Sequence, residues 1–236
     1  MCGIAGFTGS KNDRLLKQLS KDLEHRGPDG EGIYSNGEVT LLNRRLSIID
    51  LTTGDQPIFN EDKSLVIVYN GEIYNYRELK TELKKKNHVF STTSDTEIAL
   101  HAYQEWGVDA FDRFNGMFGL AIYDIKKKKL ILARDQFGIK PVYFSSVNNK
   151  LLFASEIKPI INSGLIEKKV NARILYRYLR FRVHDNERET FFQGVERLLP
   201  GEMLTFEKGK MKIEKYSKMD SRFLASLKLR RSGRGN

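Results

Sequence analysis

The chain has 236 residues, 40% apolar and 30% charged, which suits one or two globular domains with a sizeable core and excludes general disorder. A single Cys excludes an intramolecular disulfide framework or a Cys-rich zinc cluster, and no apolar run approaches the ~20 residues needed to cross a bilayer. The net charge of +10 is concentrated at one end: residues 207–236 hold ten Lys/Arg and three Asp/Glu, and no finger, recognition helix or stripe of aromatics accompanies it, so nucleic acid is not an expected partner.

In chain order, MCGIAGFTGS has neither the basic segment nor the long apolar stretch of a signal peptide, and Gly3 is misplaced for myristoylation. A soluble, intracellular, cytoplasmic protein without a membrane partner is the expectation. Residues 2–8 read as a buried strand. Leu15, Leu16, Leu19 and Leu23 recur at helical spacing behind the N-cap candidates Asn12 and Asp13. His25-Arg26-Gly27-Pro28-Asp29-Gly30 is a loop, because three breakers fall in six residues. Strands are predicted at 38–42, 46–51 and 64–69, the last broken by Asn70-Gly71. Helices follow near 75–86 and from Ser94, where Ser94 and Glu97 have the spacing of a capping box. Strands at 117–124, 129–134, 141–146 and 150–154, helices near 155–162 and 171–181, and strands at 195–199, 202–206 and 211–216 complete the pattern. A few helices among strands joined mainly by hairpins predict an α+β fold with largely antiparallel sheets. Residues 217–236 lack strand alternation and read as a basic tail or linker.

Cys2 is the most informative residue. A lone Cys is ordinarily a small buried hydrophobe. At position 2, however, removal of the initiator Met would place a free α-amine on the nucleophile's own residue, and with amine and thiol pKa values of about 8 and 8.5 one residue would supply nucleophile and base. A thioester intermediate needs donors for its oxyanion. Asn70-Gly71 offers a side-chain amide and a backbone open to close approach, although Asn-Gly is also the strongest hairpin signal. With Ser94 and Glu97 capping their helix, Asp95 is free to bind a cation such as a substrate ammonium. Arg44 and Arg45 are either surface charges or a guanidinium fork for a carboxylate. The four His are scattered without metal-ligand spacing, so no metal or other cofactor is expected, and His25 is assigned a structural hydrogen bond.

The segments Cys2-Gly3-Ile4, His25–Gly30, Arg45–Ile48, Asn70–Asn75 and Ser94–Glu97, in this order, resemble the class II glutamine amidotransferase domain, most closely the N-terminal glutaminase half of glutamine-hydrolysing asparagine synthetases. Arg134–Pro141, Phe153–Lys158 and Leu199-Pro200-Gly201 are similar to that family's later motifs, so the resemblance covers roughly 2–216. It implies a four-layer αββα N-terminal nucleophile hydrolase sandwich with two antiparallel sheets. It also implies glutamine as substrate, Cys2 as nucleophile with its α-amine relaying the proton, and Asn70 with the Gly71 N–H holding the oxyanion. Arg45 would grip the α-carboxylate and Asp95 the α-ammonium. Main-chain groups along Leu46, Ser47, Ile48 and Ile49, together with Glu72, would complete the pocket.

In that family a synthetase domain with a pyrophosphate loop follows, and Ser232-Gly233 is only a shadow of it. The chain alone is therefore expected to supply ammonia to an acceptor-activating domain or chain rather than to make asparagine. Two other readings are a non-catalytic regulatory or interaction protein that retains the fold, and a nucleic-acid-associated protein.

Overall fold

The computed structural model of the chain describes residues 1–47, 53–183 and 187–218. In chain order its elements are β1 (Gly3–Thr8), α1 (Asp13–Leu23), β2 (Gly30–Ser35), β3 (Val39–Arg45), β4 (Ile58–Phe59), β5 (Leu65–Ile73), α2 (Tyr76–Lys85), α3 (Asp95–Trp106) and α4 (Ala110–Arg113). There follow β6 (Gly116–Asp124), β7 (Lys129–Arg134), β8 (Tyr143–Val147), β9 (Lys150–Ala154), α5 (Ile157–Asn162), α6 (Ala172–Phe181), β10 (Glu196–Arg197), β11 (Glu202–Glu207) and β12 (Lys210–Lys215).

The strands form two six-stranded sheets, ordered β10-β8-β9-β1-β3-β2 and β12-β11-β7-β6-β5-β4, and the pairings are antiparallel. Side-chain alternation builds the layers. Ile4, Leu41, Val66, Val68 and Phe153 point into a core shared by the two sheets. Their neighbours Ala5 and Leu42 face a second core under α1 and α5. Ile67 and Tyr69 face a third core under α2, α3 and α4. Strands covered on both faces read as near-continuous apolar runs, as in Leu65–Tyr69. The result is the expected αββα sandwich.

Several local expectations are corrected. β5 does not break at Asn70-Gly71 but runs on to Ile73, with Asn70 opposite Gly119 and Gly71 opposite Phe118 of β6. The two strand backbones approach so closely there that a Cβ on Gly71 would lie 2.3 Å from the Met117 carbonyl oxygen, so glycine marks a tight pairing and not a turn. The Ser94–Glu97 capping box does not close. Ser94 Oγ accepts from the Thr96 N–H, while the Glu97 carboxylate turns to the N–H and hydroxyl groups of Ser91 and Thr92, four donors that a reach back to the cap could not match. β2, β4 and α4 are additional to the sequence reading.

The strand expected over 46–51 is irregular at Leu46 and Ser47, and residues 48–52 lie outside the described residues. Most of the expected tail, residues 219–236, also lies outside them, but its first two residues are anchored: Ser217 N–H donates to the Gly201 carbonyl and Lys218 N–H to Asp112.

Candidate active site

The end of β1 is held from several sides. Ser155 brackets Ile4, its Oγ accepting from the Ile4 N–H at 3.0 Å and its own N–H donating to the Ile4 carbonyl at 2.8 Å. Glu156, the next residue, accepts from Arg26 at 2.9 Å, and Arg26 Nε donates to the Cys2 carbonyl at 3.1 Å. His25 shares the Glu156 carboxylate, which accounts for its structural role. The Leu46 N–H donates to Cys2 Sγ at 3.4 Å, and the thiol faces the Leu46 carbonyl at 3.6 Å.

One cleft is lined by Cys2 just before β1, Arg45 and Leu46 at the end of β3, Asn70, Gly71 and Glu72 of β5, and Asp95 at the start of α3. Ser47 does not line it; its N–H is taken by Asp29 Oδ2 at 2.8 Å. Ile48 and Ile49 lie outside the described residues. Arg44 and Arg45 do not form a fork, because successive strand residues point to opposite faces. Arg44 pairs with Glu24 and Glu31, whereas Arg45, 7% exposed, reaches Asp55 at 2.6 Å. Asp55 is itself largely in solvent, so this ion pair can be exchanged for a carboxylate entering the cleft.

Asp95 is not free, as the capping argument expected, but held: its Oδ2 accepts from the Ile73 N–H at 2.9 Å and from the Tyr69 hydroxyl at 3.2 Å. Burial pushes the Asp95 carboxyl above its ordinary value, with the donors of Ile73 and Tyr69 partly offsetting the shift. Burial and the adjacent Asp95 push the Tyr69 phenol far up, so it stays a donor.

Asn70 is 2% exposed, and its amide nitrogen has no hydrogen-bond partner among the described residues. A buried, unsatisfied donor is costly in a resting protein and is expected where a ligand atom arrives.

Sequence reasoning missed other lining residues, among them Gln56, Tyr69, Thr96 and Lys140. Gln56 accepts from the Tyr69 N–H and donates to the Thr96 hydroxyl, stitching the loop before β4 to β5 and α3. Lys140 is carried to the cleft by the turn after β7, where the fully buried Asp135 accepts from the N–H groups of Phe118, Phe137, Ile139 and Lys140. Burial and the Arg26 guanidinium push the Lys140 ammonium below its ordinary value. The Arg134–Pro141 motif carried the only signal of this; Tyr69 and Gln56 gave none, since a terminal strand Tyr reads as core.

Comparison with known proteins gives a consistent picture. The chain is 40% identical over 215 residues to an asparagine synthetase [glutamine-hydrolyzing] of Bacillus subtilis, covering 86% of this chain and 28% of that one. It is 34% identical over 228 residues to a second such enzyme of the same organism, covering 94% of this chain and 37% of that one. It is 42% identical over 164 residues to one of Arabidopsis thaliana, covering 67% and 28%. The chain thus spans little more than a third, or less, of the curated relatives it matches. Two solved structures share the fold over 92% of the chain: the glutamine phosphoribosylpyrophosphate amidotransferase of B. subtilis, at TM-score 0.68, 19% identity and 50% of that protein, and an allosteric regulatory enzyme of purine biosynthesis, at 0.70, 20% and 49%. The glutamine amidotransferase domain family matches residues 1–217, and with that match the chain belongs to the class II glutamine amidotransferases.

Proposed function

We propose that this chain hydrolyses the side-chain amide of glutamine to glutamate and ammonia through a Cys2 thioester. The observation that carries the reading is the orphaned Asn70 amide nitrogen, buried in the same cleft as the only thiol of the chain. Loss of Met1 frees the Cys2 α-amine. The amine takes the thiol proton as Sγ attacks the amide carbon, and the C=O bond becomes an oxyanion facing Asn70 Nδ2 and the Gly71 N–H. The C–N bond then breaks, the proton passes to the departing nitrogen, and ammonia leaves. Water adds to the thioester, a second oxyanion forms and collapses, and glutamate and free thiol result. Arg45 exchanges Asp55 for the substrate α-carboxylate, Asp95 and Glu72 take the α-ammonium, and the main chain at Leu46 adds a wall of the pocket.

Residues 2–216 constitute the glutaminase unit, and 217–236 lead toward an acceptor-activating synthetase domain or chain that consumes the ammonia; the greater length of the relatives supports this. Among the described residues, no helix is long and apolar enough to cross a membrane. A free nucleophilic thiol suits a reducing compartment such as the cytoplasm.

The experiment is a glutaminase assay joined to intact-mass measurement. Active protein should lack Met1, Cys2→Ala should abolish hydrolysis without lowering the melting temperature, and a permanent N-terminal extension should abolish it too. Full activity in the extended protein would overturn the mechanism.

A further inference from the structure

Beside α3, three side chains that are distant in sequence converge. Glu61 comes from the turn between β4 and β5, His88 from the segment after α2, and His101 from the middle of α3. His101 is buried and the His88 side chain is largely covered, with side-chain exposures of 1% and 7%, while Glu61 is open to a surface cleft that it helps to line. The two Nδ1 atoms are 3.0 Å apart, and Glu61 Oε1 lies 3.2 Å from His101 Nδ1 and 3.6 Å from His88 Nδ1.

The outer ring nitrogens decide the chemistry. His88 Nε2 lies 3.2 Å from Glu105 Oε2, and His101 Nε2 faces Glu97 Oε1 at 3.9 Å. A carboxylate can only accept, so a neutral His88 puts its proton on Nε2 and a lone pair on Nδ1, and the Glu97 carboxylate favours the same tautomer for His101. Three lone-pair atoms, two nitrogens and a carboxylate oxygen, then face one another. A proton can bridge one edge of that triangle, whereas a cation at its centre satisfies all three. Tetrahedral zinc with Zn–N and Zn–O bonds of about 2.0–2.1 Å separates its ligands by about 3.3 Å, which matches the observed edges. Carboxylates behind the outer nitrogens of the imidazoles are the usual support of ligating histidines. The Glu105 carboxylate is fixed in turn by Lys86 Nζ at 2.7 Å.

We propose that Glu61, His88 and His101 form a structural divalent-metal site of zinc type, with water from the surface cleft as fourth ligand. This departs from the expectation that the chain carries no metal; the histidines are thirteen residues apart, a spacing that matches no compact ligand motif. The ion would join the β4–β5 turn and the segment after α2 to α3. His101 lies six residues beyond Asp95, about 9 Å along the same helix, so the site would steady the element that presents Asp95 to the cleft.

The test uses the folded chain carrying Cys2→Ala, so that the cleft thiol cannot ligate metal. Stripped with a chelator and titrated with CoCl2, it should bind one equivalent with the intense visible absorption of tetrahedral Co(II), which ZnCl2 then displaces. Zinc should raise the melting temperature. Glu61→Gln, at the partly exposed rim, and Glu105→Gln, behind His88, should each weaken cobalt binding roughly 10–100-fold, and His88→Ala should abolish it. If His88→Ala does not fold, Glu61→Gln decides. No uptake by the folded chain at about 100 μM cobalt, far above the dissociation constants typical of structural zinc sites, would overturn the proposal. So would a cobalt spectrum and affinity unchanged by Glu61→Gln.

Discussion

At the scale of single residues, the proposed mechanism separates groups that meet charge formed during reaction from groups that meet charge already present. Asn70 Nδ2 is satisfied only when an acceptor arrives, so Asn70→Ala should lower kcat by roughly 10²–10³ with little change in KM. Arg45→Ala removes a contact to a carboxylate that keeps its charge throughout, and should raise KM more than it lowers kcat. Steady-state kinetics with glutamine distinguish the two, and an Asn70→Ala effect confined to KM would remove it from the oxyanion site. Asp95 adds a pH signature. Burial places its carboxyl above the ordinary value of about 3.9, and only the ionised form attracts an ammonium. Below the limb set by the Cys2 α-amine, kcat/KM should therefore carry a second acid inflection with its midpoint above that of an exposed aspartate, and Asp95→Asn should remove that inflection and leave the amine limb in place. The linkage sign is the reverse of the usual salt-bridged carboxylate. A group that binds its proton more tightly when folded destabilises the empty protein above its unfolded pKa, and this cost fades as pH falls through the folded value. Asp95→Asn should thus impair glutamine binding without lowering the melting temperature at pH 7; a clear fall would mean that the carboxylate is structural.

At the scale of elements, the site depends on where strands end and how closely they pair. Because a Cβ on Gly71 would meet the Met117 carbonyl oxygen and the Phe118 Cα at 2.3 and 2.7 Å, Gly71→Ala must push β5 away from β6. It should cost about 1–3 kcal/mol in urea unfolding and disturb Asn70 as well, so activity should fall further than stability alone explains. Unchanged stability would show that the pairing can relax. This junction also marks what could be read in advance. The αββα plan and the cleft residues Cys2, Arg45, Asn70 and Asp95 were legible because each lies in a short motif whose order is specific. β2 was not, since Gly30 and Gly32 weaken its strand signal; Gly32 is there because a Cβ would strike the Gln56 carbonyl oxygen at 1.6 Å. The extension of β5 past Asn70 was hidden by the turn preference of Asn-Gly, which tertiary pairing overrides. The opposed directions of Arg44 and Arg45 follow from strand alternation once β3 is known to reach Arg45. The partners of Tyr69, Gln56 and the paired histidines arise from contacts across the fold, on which local periodicity is silent.

At the scale of the whole molecule, the proposed nucleophile and the proposed oxyanion donors belong to different sheets. Cys2 adjoins β1 in one, and Asn70 and Gly71 lie on β5 in the other. Their relative position is therefore set by the inter-sheet core of Ile4, Val66, Val68 and Phe153, an arrangement that resists change because interiors are close-packed. Among the described residues, those that line the cleft lie between positions 1 and 140 of this one chain, so the proposed hydrolysis draws on groups of a single polypeptide. Nothing in the proposed steps consumes a nucleotide, since the thioester forms directly from an amide and is discharged by water. The purified 236-residue chain should accordingly release glutamate and ammonia in equal amounts from glutamine alone. Mg-ATP and aspartate, which an acceptor-activating domain would need, should alter neither the rate nor the products. Amino-acid analysis of the reaction, run with and without these additions and with calorimetric titration of Mg-ATP, checks this directly. Asparagine among the products, or hydrolysis that waits for ATP, would show that these residues carry acceptor chemistry of their own, beyond the glutaminase cleft at the joint of the two sheets.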